Sequence, residues 1–554
     1  MSSASSPHCG IRHRFAPPAS FLFWAVVFTL ICTQAPLYYS NQNQYFLHGL
    51  ARGGFGFLDG DWLAGTGDPT PVFSALVAWT YRFAHEWLYY AYFGLLLGIY
   101  LYSLAGIFTF LAGGEANGNA RLLFITLLAL IHSGAARWAS VQLFDVDYPW
   151  YFQAGVAGQY ILGFGLQPSV FGVLLVWSIF LFVRGRGFVA ATAAAGAGIV
   201  HATYLLPAAF LVLAYVLVVW RQQGSWRKGV LLGGWALVLV LPLVLRSIIE
   251  FAPSSPRAFA EAQRLLVHFR IPHHAVPEVW FDGVAAAQLA WVVLAIWLTR
   301  GTVLFPVLLI PFFLSLALSM LQVATDSDTL ALLFPWRLSA VLVPLATAIV
   351  LARLVLRFAR PGASPAEGAQ GAGRGIRWTC SILLALLVAA GVAITGEGMA
   401  YRSNPDEVPL LHFVRAHARH GEVYLLPVDV PRLDTGKRGA RSTSFTRPPL
   451  RDKDQHLIAI DLQRFRLYTG APIVVDFKSI PYKDVEVLDW HDRLLTCRKL
   501  YRDGDWISPA VGETLKRFGV THVVLPGPET ARVKGLEKLF ADEKGAYRLY
   551  RVIK

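Results

Sequence analysis

The chain has 554 residues, 55% of them hydrophobic and 15% charged, with a mean hydropathy of +0.48. That balance excludes a soluble globular class and predicts an α-helical polytopic membrane protein. The formal charge of +14 does not imply a nucleic-acid partner, because the basic residues are scattered through short connections between apolar stretches, where membrane topology accounts for them.

Residues 1–17 form a short basic lead containing Arg12 and Arg14. Stretches close to the ~20 apolar residues needed to span a bilayer follow at Phe21 to Leu37, Trp87 to Leu111, Leu122 to Trp138, Tyr160 to Val183, Phe188 to Val200 and Leu205 to Trp220. They continue at Val230 to Leu245, Val284 to Leu298, Val303 to Leu321, Leu338 to Val355 and Trp378 to Ile394, about eleven spans in all. Basic residues recur at every second connection: Arg121, then Arg184 and Arg186, Arg221 to Lys228, Arg300, and Arg353 to Arg377. Basic loops are retained in the cytoplasm, so the amino terminus is expected inside and everything after about Gly396 outside the cytoplasmic membrane of a bacterium. Twelve of the thirteen carboxylates before residue 360 then fall on the outer side, Glu115 being the exception.

The amphipathic stretch Pro256 to Phe269 is expected to lie along the membrane surface. Pro361 to Gly375 reads as a Gly/Ala/Pro-rich linker. Beyond Gly396 charge density rises, and strand-like runs at Val423 to Leu426, Ile473 to Val475 and His522 to Leu525 alternate with helix-like stretches. Residues 18–397 are therefore expected to form the membrane domain, and 398–554 a small extracytoplasmic α/β domain. The four cysteines give neither a disulfide framework nor zinc spacing.

Polar chemistry concentrates just after the first span, where Asn43, Gln44 and His48 are followed by Asp59, Asp61 and Asp68. A carboxylate in a partly dry site can act as a general base, and amides can bind sugar hydroxyls; turn-forming and helix-capping are the competing roles. The pair Asp145 and Asp147 has a D-x-D spacing that admits a divalent cation, magnesium or manganese, or equally an interfacial loop anchored by Tyr148 to Tyr151. Gln159, His201 and Tyr204 stand near the outer ends of spans. Arg270, His273, His274 and Arg337 supply cations on the same side, suited to phosphate or to membrane headgroups. No P-loop, serine elbow or zinc-protease motif appears in its required context.

The segments Asn43-Gln44-Tyr45, Asp61-Trp62, His201-Ala202-Thr203-Tyr204, Arg270-Ile271-Pro272-His273-His274 and Pro335-Trp336-Arg337, with Phe465 to Gly470 and Asp476 to Pro481 in the tail, resemble an uncharacterised bacterial branch of the GT-C superfamily of membrane glycosyltransferases. That resemblance implies a catalytic acid in the first outer loop, Asp61 with Asp59 as its rival. It also implies a polyprenyl-phosphate-linked sugar donor and an extracytoplasmic acceptor. The tail lacks the W-W-D-Y-G signature of oligosaccharyltransferases, which argues against peptide-sequon transfer. Two other readings stand beside glycosyl transfer: a transporter or flippase of a lipid or solute, and a non-catalytic envelope assembly protein whose charged stretch Arg447 to Asp454 binds partners.

Overall fold

The computed structural model describes residues 18–113, 118–358, 368–433, 458–504, 506, 508–527 and 535–553. The basic lead, Glu115, the first half of the expected linker and the stretch Arg447 to Asp454 lie outside them. Among the described residues six helices are long and apolar enough to cross a membrane: Trp87–Leu111, Ala202–Gln222, Trp226–Glu250, Leu304–Thr325, Asp328–Phe358 and Gly373–Gly396. The pair Gly118–His132 and Gly134–Phe144, bent by 50°, makes a seventh if it is one span. Shorter apolar helices occupy Pro18–Ile31, Pro168–Val183, Gly187–Val200 and Gly283–Leu298. Each apolar stretch of the sequence therefore falls on a helix, but only six or seven of them reach spanning length.

The bend has a local cause. Ser133 leaves helical backbone and its Oγ accepts from the Ala136 N–H at 3.0 Å, so one helix ends and the next starts with its own cap. Gly134 makes that corner possible, since a Cβ there would stand 2.8 Å from Thr33 Cγ2. Elsewhere, the Trp226–Glu250 helix leaves Val230, Leu231, Val238, Leu245 and Ile249 exposed. An apolar band of that kind costs free energy in water and none in lipid. The expected linker is helical in its second half, because the last apolar helix begins at Gly368.

The carboxy-terminal region carries a four-stranded sheet in the order β1-β2-β4-β3: β1 Tyr424–Leu425, β2 His522–Pro526, β3 Leu536–Ala541 and β4 Tyr547–Val552. β1 runs parallel to β2 and the remaining pairs are antiparallel. Helix Asp484–Asp503 packs on the sheet through Val487, Trp490 and Leu494. The amphipathic helix Pro256–Arg264 and the turn after it do not present their apolar side to the membrane surface: Ala262, Leu265 and Leu266 are buried in the same core as Trp490. The apolar face expected to meet lipid meets protein instead, so the loops of the helical region and the sheet domain share one hydrophobic core.

Candidate functional site

The first long loop is clasped by the tail. Gln44 acts as a strand-like clip: its Nε2 donates to the Ile480 carbonyl at 2.7 Å, and its Oε1 accepts from the Ile480 N–H at 2.6 Å. Gly56 and Gly470 meet backbone to backbone, both at positive φ, and a Cβ on Gly56 would lie 2.5 Å from the Gly470 oxygen. At the centre of this seam sits Asp61, 2% exposed. Its Oδ1 accepts from the N–H groups of Leu63 at 3.0 Å and Ala64 at 3.4 Å, and its Oδ2 from the Ile473 N–H at 3.0 Å, while Arg466 Nε is ion-paired to Oδ2 at 2.9 Å. A carboxylate offers about four acceptor positions; three take hydrogen bonds and the ion pair crowds the remaining side. The expected general base is thus placed as an anchor between the loop and the tail.

The other expected acids are also placed by structural partners. Asp68 is buried, pairs with Arg52 at 2.8 Å and accepts from the Thr70 N–H and Ser74 Oγ, bracing the turn that enters helix Pro71–Phe83. Asp59 is exposed. His48 bonds the Thr66 carbonyl at 3.1 Å, and burial lowers its pKa. Asn43 turns back on its own loop, donating to the Tyr38 and Ser40 carbonyls. Asp147 is held by Arg137 Nε at 2.8 Å and Nη2 at 2.7 Å, beneath a guanidinium stacked 4.5 Å over Trp150, while Asp145 is an exposed, left-handed helix end. The cation site expected from the D-x-D spacing does not form. No group of three or more His, Cys, Asp or Glu among the described residues is arranged to hold a metal.

The expected cations do converge. Arg270 closes a π-helical turn, Leu265–Arg270, and lies over the Phe477 ring at 5.0 Å with Nη2 donating to the Lys478 carbonyl at 2.7 Å. Arg337 sits on a 3-10 turn entered through Phe334 at φ 50, a left-handed conformation disfavoured for a bulky residue. Its Nη1 donates to Gln159 Oε1 and its Nη2 to Tyr204 Oη at 3.2 Å, with the guanidinium 4.8 Å over the Tyr204 ring. Both guanidiniums lie close enough to Tyr45 to act on its hydroxyl. Burial raises the Tyr45 pKa, and a hydrogen bond with Tyr482 and the two cations, Arg337 before Arg270, oppose it. The His201 ring packs on Tyr45 at 5.5 Å and on Tyr204 at 5.6 Å. The His273 and His274 rings lie 3.9 Å apart, tilted by 51°, and His274 Nδ1 bonds the Ala157 carbonyl.

Arg270 and Arg337 are both buried, and neither has a carboxylate within ion-pairing distance among the described residues. Burial holds the Arg270 pKa down, at about 10, which leaves it charged at neutral pH. Arg270 Nε, Arg337 Nε, Ser169 Oγ and Thr203 Oγ1 are buried without a hydrogen-bond partner. Two desolvated cations with idle donors are costly unless an anion completes them. A narrow cleft here is lined by Gln159, His274, Gln322, Trp280, Trp336 and Arg337.

Sequence reasoning gave no site role to four contributors: Tyr45, Tyr482, Arg466 and Asp476. Asp476 accepts from the Ser479 N–H at 2.6 Å and faces Arg466 Nη1 at 3.3 Å, and it is a carboxylate that acts on Arg270. Two of its acceptor positions are unused by these bonds. The tail supplies all but Tyr45, and nothing in the local pattern of the tail says which loop it will meet. Residues 451–497 match the model of a domain of unknown function, DUF6798, a stretch that includes Arg466, Asp476 and Tyr482. No curated protein matches the chain.

Proposed function

We propose that this chain is a GT-C-like glycosyltransferase of the bacterial cytoplasmic membrane, with about eleven spans, the amino terminus inside and the sheet domain outside, and that Arg270 and Arg337 receive the phosphate of a polyprenyl-phosphate-linked sugar. The observation that carries this reading is the pair of buried guanidiniums without carboxylates, each with an idle Nε. Arginine suits phosphate because its planar fork can donate twice to one anion. In the reaction the bond from the sugar C1 to the phosphate oxygen breaks and one from C1 to the acceptor oxygen forms. The lipid phosphate leaves with the bonding pair, stabilised by the two cations, and the acceptor proton passes to Asp476, which takes the role that Asp61 is too fully bonded to play.

The test uses the full chain in detergent with polyprenyl phosphate as probe. Arg270→Ala and Arg337→Ala should each weaken binding at least about tenfold, the loss of one charge-assisted bond. Asp476→Asn should abolish transfer while leaving lipid binding within about twofold. Unchanged affinity in both arginine variants would remove the phosphate site. Transmembrane flux of the lipid without a covalent product would replace the enzyme with a flippase.

A further inference from the structure

Two segments wall the narrow cleft at Arg337. His274, Ala275 and Trp280 follow the π-helical turn Leu265–Arg270, and Phe334, Trp336 and Arg337 follow the short helix Asp328–Leu332. Between the walls there is room for about one water molecule. The idle Nε of Arg337 is buried here, so an anion the size of phosphate reaches it only if a wall moves.

The second wall has the construction of a hinged piece. Helix Asp328–Leu332 is bracketed by two residues with left-handed backbone, Asp326 at φ 47 and Phe334 at φ 50, neither of them glycine. Such conformations are costly for residues with a Cβ and persist only where surrounding contacts enforce them. The contacts that enforce these are slight. Ala331 packs on Val267 and Ala275 of the first wall, with Leu332 at the edge of the same small cluster. Two side-chain bonds then fasten the outside: His268 Nε2 bonds Asp328 Oδ1 at 2.9 Å, and Thr329 Oγ1 donates to Gln263 Oε1 at 3.1 Å. The His268 side chain is 51% exposed and that of Asp328 27%. Bonds so open to water contribute little, so they can part without unfolding what lies beneath. His268 stands two residues before Arg270 on the same turn. The fastening therefore ties the turn that carries one arginine to the segment that leads to the other.

We infer that residues 326–334 form a hinged gate over the Arg337 cleft, turning on the joints at Asp326 and Phe334, latched shut by the His268–Asp328 and Thr329–Gln263 bonds, and opening to admit a lipid-borne phosphate. The gate rests on the reading of the arginine pair as a phosphate site. A latch that holds the site shut with and without ligand slows entry and exit by the same factor, so its loss changes rates and spares affinity. The full chain in detergent is mixed with polyprenyl phosphate in a stopped-flow instrument, with tryptophan fluorescence as the signal, since Trp280 and Trp336 line the cleft. His268→Ala combined with Thr329→Val should raise the association and dissociation rates together, each at least about threefold, with affinity held within about twofold. Without ligand, the same variant should exchange the amide hydrogens of residues 328–334 at least about threefold faster than the parent, with helix Trp87–Leu111 unchanged. Unaltered rates and unaltered exchange overturn the gate, while binding of the lipid upholds the phosphate site. A loss of affinity through faster dissociation alone makes the two bonds plain supports of Arg337 and overturns the latch. Faster exchange in a chain that binds no polyprenyl phosphate upholds the moving segment and overturns phosphate as what it admits.

Discussion

Asp61 illustrates how far a residue's chemistry depends on what the rest of the chain brings to it. In the sequence it is an acid beside an interfacial tryptophan, a pattern equally suited to catalysis and to a turn. In the structure three hydrogen-bond donors and an ion-paired guanidinium surround it, two of these groups from residues more than 400 positions away. Its replacement by Asn should therefore act on stability: Arg466, 3% exposed, would remain buried with only Asp476 to face. Breaking a buried pair in this way costs about 3–5 kcal/mol, and a clear fall in the thermal midpoint of the purified chain is expected, with poor membrane expression. Asp59→Asn, at an exposed position, should stay within about 0.5 kcal/mol of the parent. Equal midpoints for the two variants would contradict the anchor role of Asp61. The arginines stood out in the sequence because their side chains suit few tasks. The acids were not, since any buried carboxylate with enough donors can serve as a cap.

Elements show the same division between pattern and partner. Apolar stretches located each helix long enough to cross a membrane, and the pattern also marked Pro256 to Phe269 as amphipathic; what it could not say was whether the apolar face meets lipid or the Trp490 core. A junction within the tail gives a pH signal of its own. Glu407, at the start of helix Val408–His417, accepts from the Leu462 N–H at 2.5 Å and from Arg464 Nε at 2.6 Å, and so ties that helix to the segment leading to Phe465–Thr469. Burial outweighs these partners and pushes its pKa up to about 7. Between the unfolded value near ~4.3 and that figure, the folded state keeps a proton that the unfolded state releases. Stability contributed by this group is thus fully present below the lower value and declines as pH rises through the upper one. Thermal midpoints should fall from pH 5 to pH 8, and Glu407→Gln, which stays neutral and keeps an oxygen for Leu462, should flatten that part of the profile. A midpoint that rises across the same interval in the parent would reverse the assignment.

At the scale of the molecule, charge is sorted along the helix axes. The end bearing the sheet domain holds the acidic loops and the buried arginine pair. The opposite end holds the basic connections, some tied to helix ends: Arg353 donates to the Leu298 carbonyl through Nε and Nη2, and Arg377 to Asn119 Oδ1. Basic connections stay in the cytoplasm because their transfer across the membrane is unfavourable, and the orientation proposed above rests on this sorting, since helix geometry alone leaves it open. The same sorting was visible in the sequence. The clasp that joins the ends of the chain was not, because Gln44 and Ile480 carry no pattern that pairs them. Orientation is tested by placing single cysteines in a chain whose own cysteines are replaced by serine, one at Arg257 and one at Arg227, both exposed and at opposite ends. A membrane-impermeant maleimide applied to spheroplasts should label Arg257→Cys directly and Arg227→Cys only after permeabilisation. The reverse pattern would put the arginine pair and its cleft on the cytoplasmic face, where nucleotide sugars are made, and a lipid-linked donor would no longer be needed to explain the lack of a nucleotide motif.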